Sequence, residues 1–397
     1  MRVESIYFTE RHQQFRIDVR DFLAGAVVPF APDWEARRRL PREAWKSFGE
    51  QGLLGLLHSR EVGGSARDLF SSVVFLEELG RIGYGGVRAA ISVHAYMATY
   101  YLARSGNAAL RQRYLTPAVA GDKIAALAVT EPGAGSDLAG LSSTVHKQLD
   151  HFVLDGTKSM VSNGSSADFY VVLARSGAPP GGPSGGGRGA VGLSLFVVDA
   201  GSPGITIERT EPVGWRAADP ATVRFEAVHV PLDQVVGRLH SGFYQLMRGF
   251  QLERVVAAVL ALGGADRSLQ LTREHLVRRA AFGARLADLQ AVRHQIADLA
   301  TNLAAARELV YHAIWRYQSD DLGSVRECSM AKLCATELAT RMADTSLQLH
   351  GAHGYLDDTE VARAFRDARA ATIAAGPSEV MRDIIARLEI DEANSTT

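Results

Sequence analysis

The spacing of apolar residues changes twice along this chain, and this change restricts the possible folds more than any other feature. Up to about residue 119 the apolar residues recur at helical spacing, without a group of strand-like segments. Over residues 124–236 short β-rich runs alternate with turns, and after residue 240 long helical patterns return. The sequence therefore predicts an α+β multidomain protein with an all-α N-terminal domain, a central β-barrel or β-sandwich domain and a C-terminal four-helix bundle. The predicted domains are residues 1–122, 123–238 and 239–397.

The predicted elements follow this division. The predicted strands are residues 124–129, 143–147, 151–156, 169–175, 193–199, 205–210, 221–228 and 235–236. The predicted helices are residues 9–30, 42–51, 69–82, 87–105, 107–119, 242–271, 272–282, 289–319, 324–350, 359–368 and 377–388. Residues 176–189 are rich in Gly and Pro, and we expect a hairpin tip there, because no helix or Lys-Ser/Thr pair follows as in a phosphate-binding loop.

Charge and composition argue against several classes of protein. The 43 Lys and Arg residues against 44 Asp and Glu give a formal net charge of −1, whereas nucleic-acid binding needs clustered basic residues. No apolar run reaches the roughly 20 residues that cross a bilayer. Residues 1–18 lack the apolar core of a secretion signal. We therefore expect a cytoplasmic protein whose partners are neither nucleic acids nor membranes.

The cysteines and two neighbouring histidines predict neither a disulfide nor a metal site. Cys328 and Cys334 are six positions apart in a helical pattern, so they lie about 9 Å apart along the axis, beyond disulfide reach. His350 and His353 form an i,i+3 pair without further ligands nearby. We expect no bound metal.

A loop over residues 129–137 follows the first predicted strand. Pro132 fixes one backbone angle, and two glycines allow angles closed to other residues. Such a loop brings backbone N–H groups close to a ligand, and Thr130 and Ser136 add hydroxyls. An ordinary Pro-Gly surface turn is the alternative.

Glu253 lies on an apolar stripe of the predicted helix 242–271. The positions three or four residues away on the same face are apolar residues or Gly: Leu246, Phe250, Val256, Ala257, Leu260 and Gly264. Burial raises the pKa of a carboxyl group toward neutrality, as a general base near pH 7 requires. A buried ion pair with an arginine of another helix explains the same pattern. The stripe alone leaves the two interpretations open.

Several motifs resemble those of the acyl-CoA dehydrogenase family, and the resemblance extends from the helical start to Arg387. Residues 129–137 (Val-Thr-Glu-Pro-Gly-Ala-Gly-Ser-Asp) resemble its signature loop, and residues 156–164 resemble its second β-domain motif. Arg279, with Phe282 and Gly283, resembles an Arg-x-x-Phe-Gly element that has Gln290 downstream. Residues 348–355 resemble its Gln-x-x-Gly-Gly-x-Gly motif. The joint order and spacing of these motifs carry the resemblance.

The resemblance also decides between the two interpretations of Glu253. Residues 250–254 (Phe-Gln-Leu-Glu-Arg) resemble the helix motif of isovaleryl-CoA dehydrogenase and its long-chain relatives, in which this Glu is the catalytic base. Other members carry the base in a C-terminal Tyr-Glu-Gly-Thr motif, and here Ala375 stands in place of that Glu. The resemblance therefore implies that Glu253 is the base.

The resemblance further implies FAD, an acyl-thioester substrate and a trans-2-enoyl product, with hydride passing from the β-carbon to flavin N5. It implies that the enolate oxygen is bound by the backbone N–H of Ala375 and by a hydroxyl of the FAD ribityl chain. An electron-transfer flavoprotein is the implied oxidant. The implied assembly is a homotetramer, a dimer of dimers, in which Arg279 and Gln348 reach the FAD of another subunit. The implied FAD-binding residues are Val129, Thr130, Ser136, Met160, Val161, Ser162, Arg279, Phe282, Gln290, Gln348, Gly351, Ala352, Pro377 and Glu379. The implied substrate-binding residues are Ser136, Gln251, Arg254, Ala375 and Gly376.

Five positions depart from the family pattern. Met160 replaces a common Trp, Ser162 a Thr, and Pro377 a Thr whose hydroxyl and N–H would bond FAD; Arg285 stands where Pro is frequent. Gln251 stands where many members have an Asp that touches the pantetheine arm, which leaves the choice between CoA and an acyl-carrier protein open. A flavin-dependent monooxygenase or oxidase on the same fold is the second hypothesis. A flavin-free binding or scaffold protein is the third.

Overall fold

The computed structural model describes residues 6–177, 191–281 and 283–395. Phe282 and most of the predicted hairpin tip lie outside these ranges. Within them the chain forms thirteen α-helices and ten β-strands in the order α-rich, β, α-rich. The predicted α+β architecture is therefore confirmed.

The N-terminal helices enclose a core that continues into the C-terminal part. They are α1 (Glu10–Ala26), α2 (Ala31–Arg37), α3 (Arg42–Glu50), α4 (Leu69–Arg81), α5 (Gly85–Ser92), α6 (Thr99–Ala103), α7 (Ala108–Leu110) and α8 (Thr116–Val119). A π-helical segment, Val93–Ala98, joins α5 to α6 without a break. Wide turns of this kind are frequent at functional sites because they turn side chains out of the regular helical register.

The first eight strands form one mixed sheet. They are β1 (Ala125–Ala128), β2 (Thr144–Lys147), β3 (His151–Val161), β4 (Phe169–Arg175), β5 (Leu193–Asp199), β6 (Ile205–Arg209), β7 (Ala221–Pro231) and β8 (Val235–Val236). The order across the sheet is β6-β7-β3-β2-β4-β5-β8, and β1 pairs with β4 in parallel. The sequence predicted a barrel or sandwich; in the described residues the two ends of this path, β6 and β8, do not pair with each other.

Strand β4 explains how this sheet joins the helices. Phe169, Val171 and Leu173 point into the large core that the helices share. The alternate residues Tyr170 and Val172 lie in a second cluster on the other face of the sheet. Because successive side chains of a strand point to opposite faces, a strand that is apolar throughout is buried on both sides. The β part is therefore fixed against the helical part.

Strand β3 is longer than the predicted segment 151–156. Gly156, with φ at 149°, allows the strand to continue past a register shift relative to β7, and a Cβ at this position would lie 2.2 Å from the Ser143 hydroxyl. The motif at residues 156–164 thus begins as a strand, and the side chain of Lys158 points into the interior.

The C-terminal part contains α9 (Gly242–Arg278), α10 (Gln290–Ser319), α11 (Val325–Gly354), α12 (Glu360–Ala371) and α13 (Ser378–Ser395), with a two-strand ribbon, β9 (Ala280–Ala281) and β10 (Ala284–Arg285). The predicted division into helices 242–271 and 272–282 is wrong, because α9 continues through the boundary. Thr272 stays helical, and its hydroxyl donates to the carbonyl of Ser268, 2.7 Å away. No described helix is both long and apolar enough to cross a membrane.

Close contact between α4 and α9 fixes the position of the central helix. A Cβ at Gly80 would lie 2.6 Å from the Leu260 carbonyl oxygen, and a Cβ at Gly263 would lie 2.3 Å from that of Glu77. Glycine at both positions lets the two backbones touch. This contact holds the middle of α9, which carries Glu253, against the N-terminal helices.

Candidate active site

Glu253 lies inside the protein with one hydrogen-bond partner in the described residues. Its side chain comes from the middle of α9, the residue is 5% exposed, and its neighbours Leu252 and Val256 are buried. The Tyr101 hydroxyl donates to Glu253 Oε1 over 2.9 Å. Burial raises the pKa of Glu253 to about 7, although the Tyr101 bond and the charge of Arg254 oppose the shift. None of the ion pairs of the described residues includes Glu253, so the alternative of an arginine from another helix is not what the structure contains.

The contact with Tyr101 was not predicted from the sequence. Tyr101 lies on α6 directly after the π-helical segment, and its ring packs over Gly249, one turn before Glu253 on α9. A Cβ at Gly249 would lie 2.3 Å from the Tyr101 hydroxyl oxygen. The only local sequence signal for this contact is Gly249, one turn before Glu253, because the absence of a side chain there leaves room for the Tyr101 ring.

Arg254 is a buried cation next to the carboxylate. Its Nη1 donates to Gln251 Oε1 over 3.0 Å and to the Ser329 hydroxyl over 3.4 Å. Its Nε–H is buried and has no acceptor in the described residues. Burial lowers the pKa of Arg254, and the neighbouring Glu253 carboxylate opposes this shift. A buried N–H without an acceptor marks a place where a ligand oxygen would fit.

The loop between α12 and α13 contains Ala375 and Gly376 in left-handed conformations, with φ at 54° and 95°. The buried Lys332 of α11 donates to the Gly376 carbonyl and so holds this loop. Burial lowers the pKa of Lys332 to about 8. The N–H of Ala375 donates to no described residue, which leaves it free for a ligand. Pro377 and the exposed Glu379 follow directly.

A buried ion pair between Glu131 of the loop at residues 129–137 and Lys158 of β3 holds this loop. Lys158 Nζ lies 2.8 Å from Glu131 Oε1 and also donates to the Val129 carbonyl. Glu131 further accepts from the backbone and hydroxyl groups of Ser142 and Ser143. Burial opposes its ionisation, but Lys158 and these donors bring the pKa of Glu131 down to about 2. The same burial lowers the pKa of Lys158 to about 8.

This ion pair places the loop beside the end of β3. The Ser159 N–H donates to the Thr130 carbonyl over 2.9 Å, which brings Thr130 next to Met160 and Ser162. Met160 has φ at 54°, and the residue is 59% exposed. Ser136 is exposed, whereas the Val161 side chain is buried in the second core cluster, so only its main chain is available to a ligand. The result is an open surface with an apolar wall and hydroxyl groups.

A second group of predicted residues collects where α9 and α11 end. The rings of His275 and His350 lie 4.2 Å apart, which brings Arg279 close to the segment 348–352. Burial lowers the pKa of His275, and the nearby basic side chains, among them Arg279 and Arg278, lower it further. Gly351, with φ at 62° and ψ at −147°, bends the end of α11. Arg279, Gln290 and Gln348 are exposed, and the Leu286 N–H donates to the Arg279 carbonyl just before α10 begins.

The predicted site residues thus form three clusters. The first is joined by the hydrogen bond from Ser159, next to Met160, to Thr130. The second is joined by the ring contact of His275, near Arg279, with His350, near Gln348. The third is Glu253 with Arg254. In the described residues no hydrogen bond or ion pair joins the first two clusters. No group of three described His, Cys, Asp or Glu side chains is arranged to hold a metal ion.

The chain matches three family models. The acyl-CoA dehydrogenase N-terminal domain matches residues 9–122, the middle domain residues 126–228 and the C-terminal domain residues 240–389. The mitochondrial long-chain specific acyl-CoA dehydrogenase of Rattus norvegicus is 34% identical over 387 residues, covering 97% of this chain and 88% of that protein.

Solved structures agree with these matches. A putative acyl-CoA dehydrogenase from Mycobacterium smegmatis superposes with a TM-score of 0.92 at 35% identity, covering 97% of this chain and 99% of that one. The prolyl acyl carrier protein oxidase AnaB superposes with a TM-score of 0.87 at 27% identity, covering 96% and 99%. The chain belongs to the acyl-CoA dehydrogenase family, whose members are flavin-dependent oxidoreductases.

Proposed function

We propose that this protein is an FAD-dependent dehydrogenase that converts an acyl thioester into a trans-2-enoyl thioester, with Glu253 as the base that removes the α-proton. One observation carries the proposal: Glu253 is buried among apolar residues without an ion-pair partner in the described residues, and burial raises its pKa to about 7. A carboxylate with a pKa near the working pH combines a large ionised fraction with useful basicity. A structural carboxylate at this depth would instead be expected to have a cation partner.

The Ala375–Gly376 loop supports the proposal, because removal of an α-proton leaves negative charge on the thioester oxygen. A backbone N–H without an internal acceptor stabilises such a charge when it is held in place beforehand. The Ala375 N–H has no acceptor in the described residues, and Lys332 fixes the following peptide through the Gly376 carbonyl. Loss of the Glu side chain at position 375 leaves this main-chain donor intact.

The chemistry of two clusters fits FAD. Thr130, Met160 and Ser162 offer hydroxyl groups and an exposed apolar wall, which suit a flat ring with polar edges. Arg279, with His275 and His350 nearby, offers the positive charge that a pyrophosphate needs. The chemistry that bound FAD supplies is acceptance of the hydride from the β-carbon. Pro377 has neither the hydroxyl nor the N–H of the Thr in the family pattern, so both of these contacts to FAD are lost.

Gln251 and Arg254 are the proposed contacts to the thioester arm. The buried Nε–H of Arg254 has no acceptor in the described residues, so a carbonyl oxygen of the substrate would satisfy it. Ser136, exposed on the loop at residues 129–137, is the proposed contact nearer the surface. The likeness to a prolyl acyl carrier protein oxidase makes a carrier-bound thioester as suitable a candidate as acyl-CoA.

The first test is an anaerobic titration of the purified flavoprotein with a panel of acyl-CoA and acyl-carrier thioesters. We expect loss of the visible flavin absorbance and formation of the 2-enoyl thioester with at least one member of the panel. Chain length, branching and carrier are read from the same panel. A protein that binds no flavin when FAD is added would contradict the proposal directly.

Arg279→Ala is expected to lower the affinity for FAD by about 10–100-fold, the effect of losing a hydrogen bond to a charged group. We propose that the Arg279 cluster meets FAD bound to a second subunit, in a dimer of dimers. Flavin content after gel filtration measures the loss of FAD, and sedimentation measures whether the subunits dissociate. Arg273→Ala, an exposed change in the last turns of α9, which ends directly before Arg279, is the matched control. Unchanged flavin content in Arg279→Ala would argue against this role.

The electron acceptor defines the second candidate function. We propose that an electron-transfer flavoprotein reoxidises the reduced enzyme, while the likeness to a carrier-protein oxidase favours oxygen as the alternative. The rate of reoxidation in air, with and without an added electron carrier, separates the two. Rapid reoxidation by air alone would identify an oxidase.

A further inference from the structure

The Tyr101 hydroxyl makes a contact that the proposed chemistry does not itself require. Tyr101 Oη donates to Glu253 Oε1 over 2.9 Å, and no other hydrogen bond to the Glu253 carboxylate is present in the described residues. Tyr101 is 2% exposed, so water does not compete for this bond from the surface. Its pKa is raised well above the usual range by burial and by Glu253, so the hydroxyl stays protonated and can only donate toward the carboxylate.

The packing around this contact holds the ring in one place. The ring of Tyr101 lies over Gly249, where a Cβ would be 2.7 Å from its Cζ atom. The ring of Tyr100 also meets it edge-on, with centroids 5.3 Å apart. The backbone of Tyr101 lies on α6, directly after the π-helical segment. Because these contacts already hold the buried ring, its hydroxyl is positioned without a further loss of side-chain conformational entropy.

We propose that Tyr101 is a positioning residue for Glu253, holding the carboxylate of the base in one orientation and favouring its ionised form. This inference rests on the proposed function, because it assigns Tyr101 to the same proton-transfer step. Tyr101 does not exchange the proton. Its hydrogen bond fixes one carboxylate oxygen, Oε1, and leaves the second oxygen to meet the α-proton of the substrate.

The charged and titratable groups around Glu253 come from four elements. Tyr101 faces it from α6, and Tyr100 of α6 and Tyr317 of α10 act on Tyr101. Arg254 lies on its own helix, and Cys328 and Lys332 of α11 lie beside Arg254. Burial raises the pKa of Glu253, while the bond from Tyr101 and the charge of Arg254 lower it. Loss of the Tyr101 hydroxyl should therefore raise the pKa of Glu253 and shift its ionisation to higher pH.

Tyr101→Phe is the first test, measured as the pH dependence of kcat/KM and of anaerobic flavin reduction. We expect the acid limb of the profile to move to higher pH by about one unit, with about tenfold slower reduction below the limb. Because the base, not substrate binding, is affected, kcat should fall while KM changes little. A purely structural role would alter stability or flavin content without moving the limb.

Tyr100→Phe is the matched control, since it removes the neighbouring hydroxyl, which makes no hydrogen bond to Glu253. Gly249→Ala is an independent variant, because its methyl group must displace the Tyr101 ring while the hydroxyl chemistry is kept. We expect it to move the limb in the same direction as Tyr101→Phe. The infrared carbonyl band of protonated Glu253, identified by its loss in Glu253→Gln, reports the same pKa change without turnover.

The outcomes separate this inference from the proposed function. The positioning role is overturned if Tyr101→Phe keeps both the acid limb of the wild-type pH profile and the wild-type titration of the Glu253 infrared band. If only Gly249→Ala folds, the same two measurements on that variant decide. If Glu253→Gln still reduces its flavin at the wild-type rate, the proposed function itself fails. If Glu253→Gln loses activity and Tyr101→Phe keeps the wild-type acid limb, Glu253 remains the proposed base and Tyr101 does not position it.

Discussion

Glu253→Gln should bind FAD and thioester as the wild-type protein does and yet lose flavin reduction by about 10²–10⁴-fold, the contribution of a general base. The amide keeps the volume of the buried side chain and still accepts the hydrogen bond of Tyr101, so the surrounding packing is preserved. It cannot take up the α-proton at neutral pH. Anaerobic stopped-flow measurement of the flavin absorbance with the best thioester of the panel gives the rate.

The control for this variant is Glu274→Gln, an exposed carboxyl-to-amide change near the end of the same helix. It should leave both the rate and the flavin content unchanged. The wild-type rate should rise with pH as Glu253 ionises, with a midpoint near the pKa of about 7. If Glu253→Gln reduces its flavin at the wild-type rate, Glu253 is not the base. If the wild-type rate does not depend on pH, another group accepts the proton.

The same substitution should stabilise the fold while it removes activity. The pKa of Glu253 is raised on folding, so its contribution to stability is fully present below the unfolded pKa near 4.5 and is lost as pH rises through about 7. A shift of this size corresponds to about 3 kcal/mol at pH 8. Glu253→Gln avoids that loss because it stays neutral, and its urea midpoint should exceed that of the wild type at pH 8 but not at pH 4.

Local sequence patterns were sufficient for most of the architecture. The spacing of apolar residues predicted the order of helical and β parts, because one-sided burial imposes the period of each element. The predicted boundary at Thr272 was wrong, since Thr tolerates a helix interior when its hydroxyl bonds the preceding turn. The extension of β3 past Gly156 was missed because a glycine usually weakens a strand.

The candidate site was less accessible to sequence reasoning, and Glu253 shows why. Its apolar stripe indicated burial, but burial alone did not separate a base from an ion pair. The difference depends on what lies opposite, and Tyr101 is 152 positions away in sequence. Their contact follows from the packing of α9 against the N-terminal helices, which requires glycine at positions 80 and 263. Contacts set by the packing of distant helices leave little local signal.

The second large effect is expected for Lys158→Met, which should destabilise the fold by about 3–5 kcal/mol, the cost of removing one partner of a buried ion pair. Glu131 and Lys158 are 3% and 0% exposed, so water does not replace the lost cation. Glu131 keeps its donors from Ser142 and Ser143 but loses the opposing charge. The same change frees the Val129 carbonyl, so flavin content should fall as well. Urea unfolding and flavin absorbance measure the two effects.

The double variant Glu131→Gln with Lys158→Met identifies the cause of that loss. If an uncompensated buried charge is responsible, removing the carboxylate as well should recover part of the stability that the single variant lost. The recovery should be incomplete, because the single oxygen of the amide accepts from only one of the two serines, Ser142 or Ser143. Lys46→Met provides the matched control, since Lys46 and Asp122 are 48% and 52% exposed and such exposed pairs contribute little to stability. If the double variant loses as much unfolding free energy as the two single variants lose together, the pair contributes through packing and not through charge. If stability recovers but flavin content does not, Lys158 has two separate roles. Its ion pair with Glu131 then stabilises the fold, and its hydrogen bond to the Val129 carbonyl holds the loop for flavin binding.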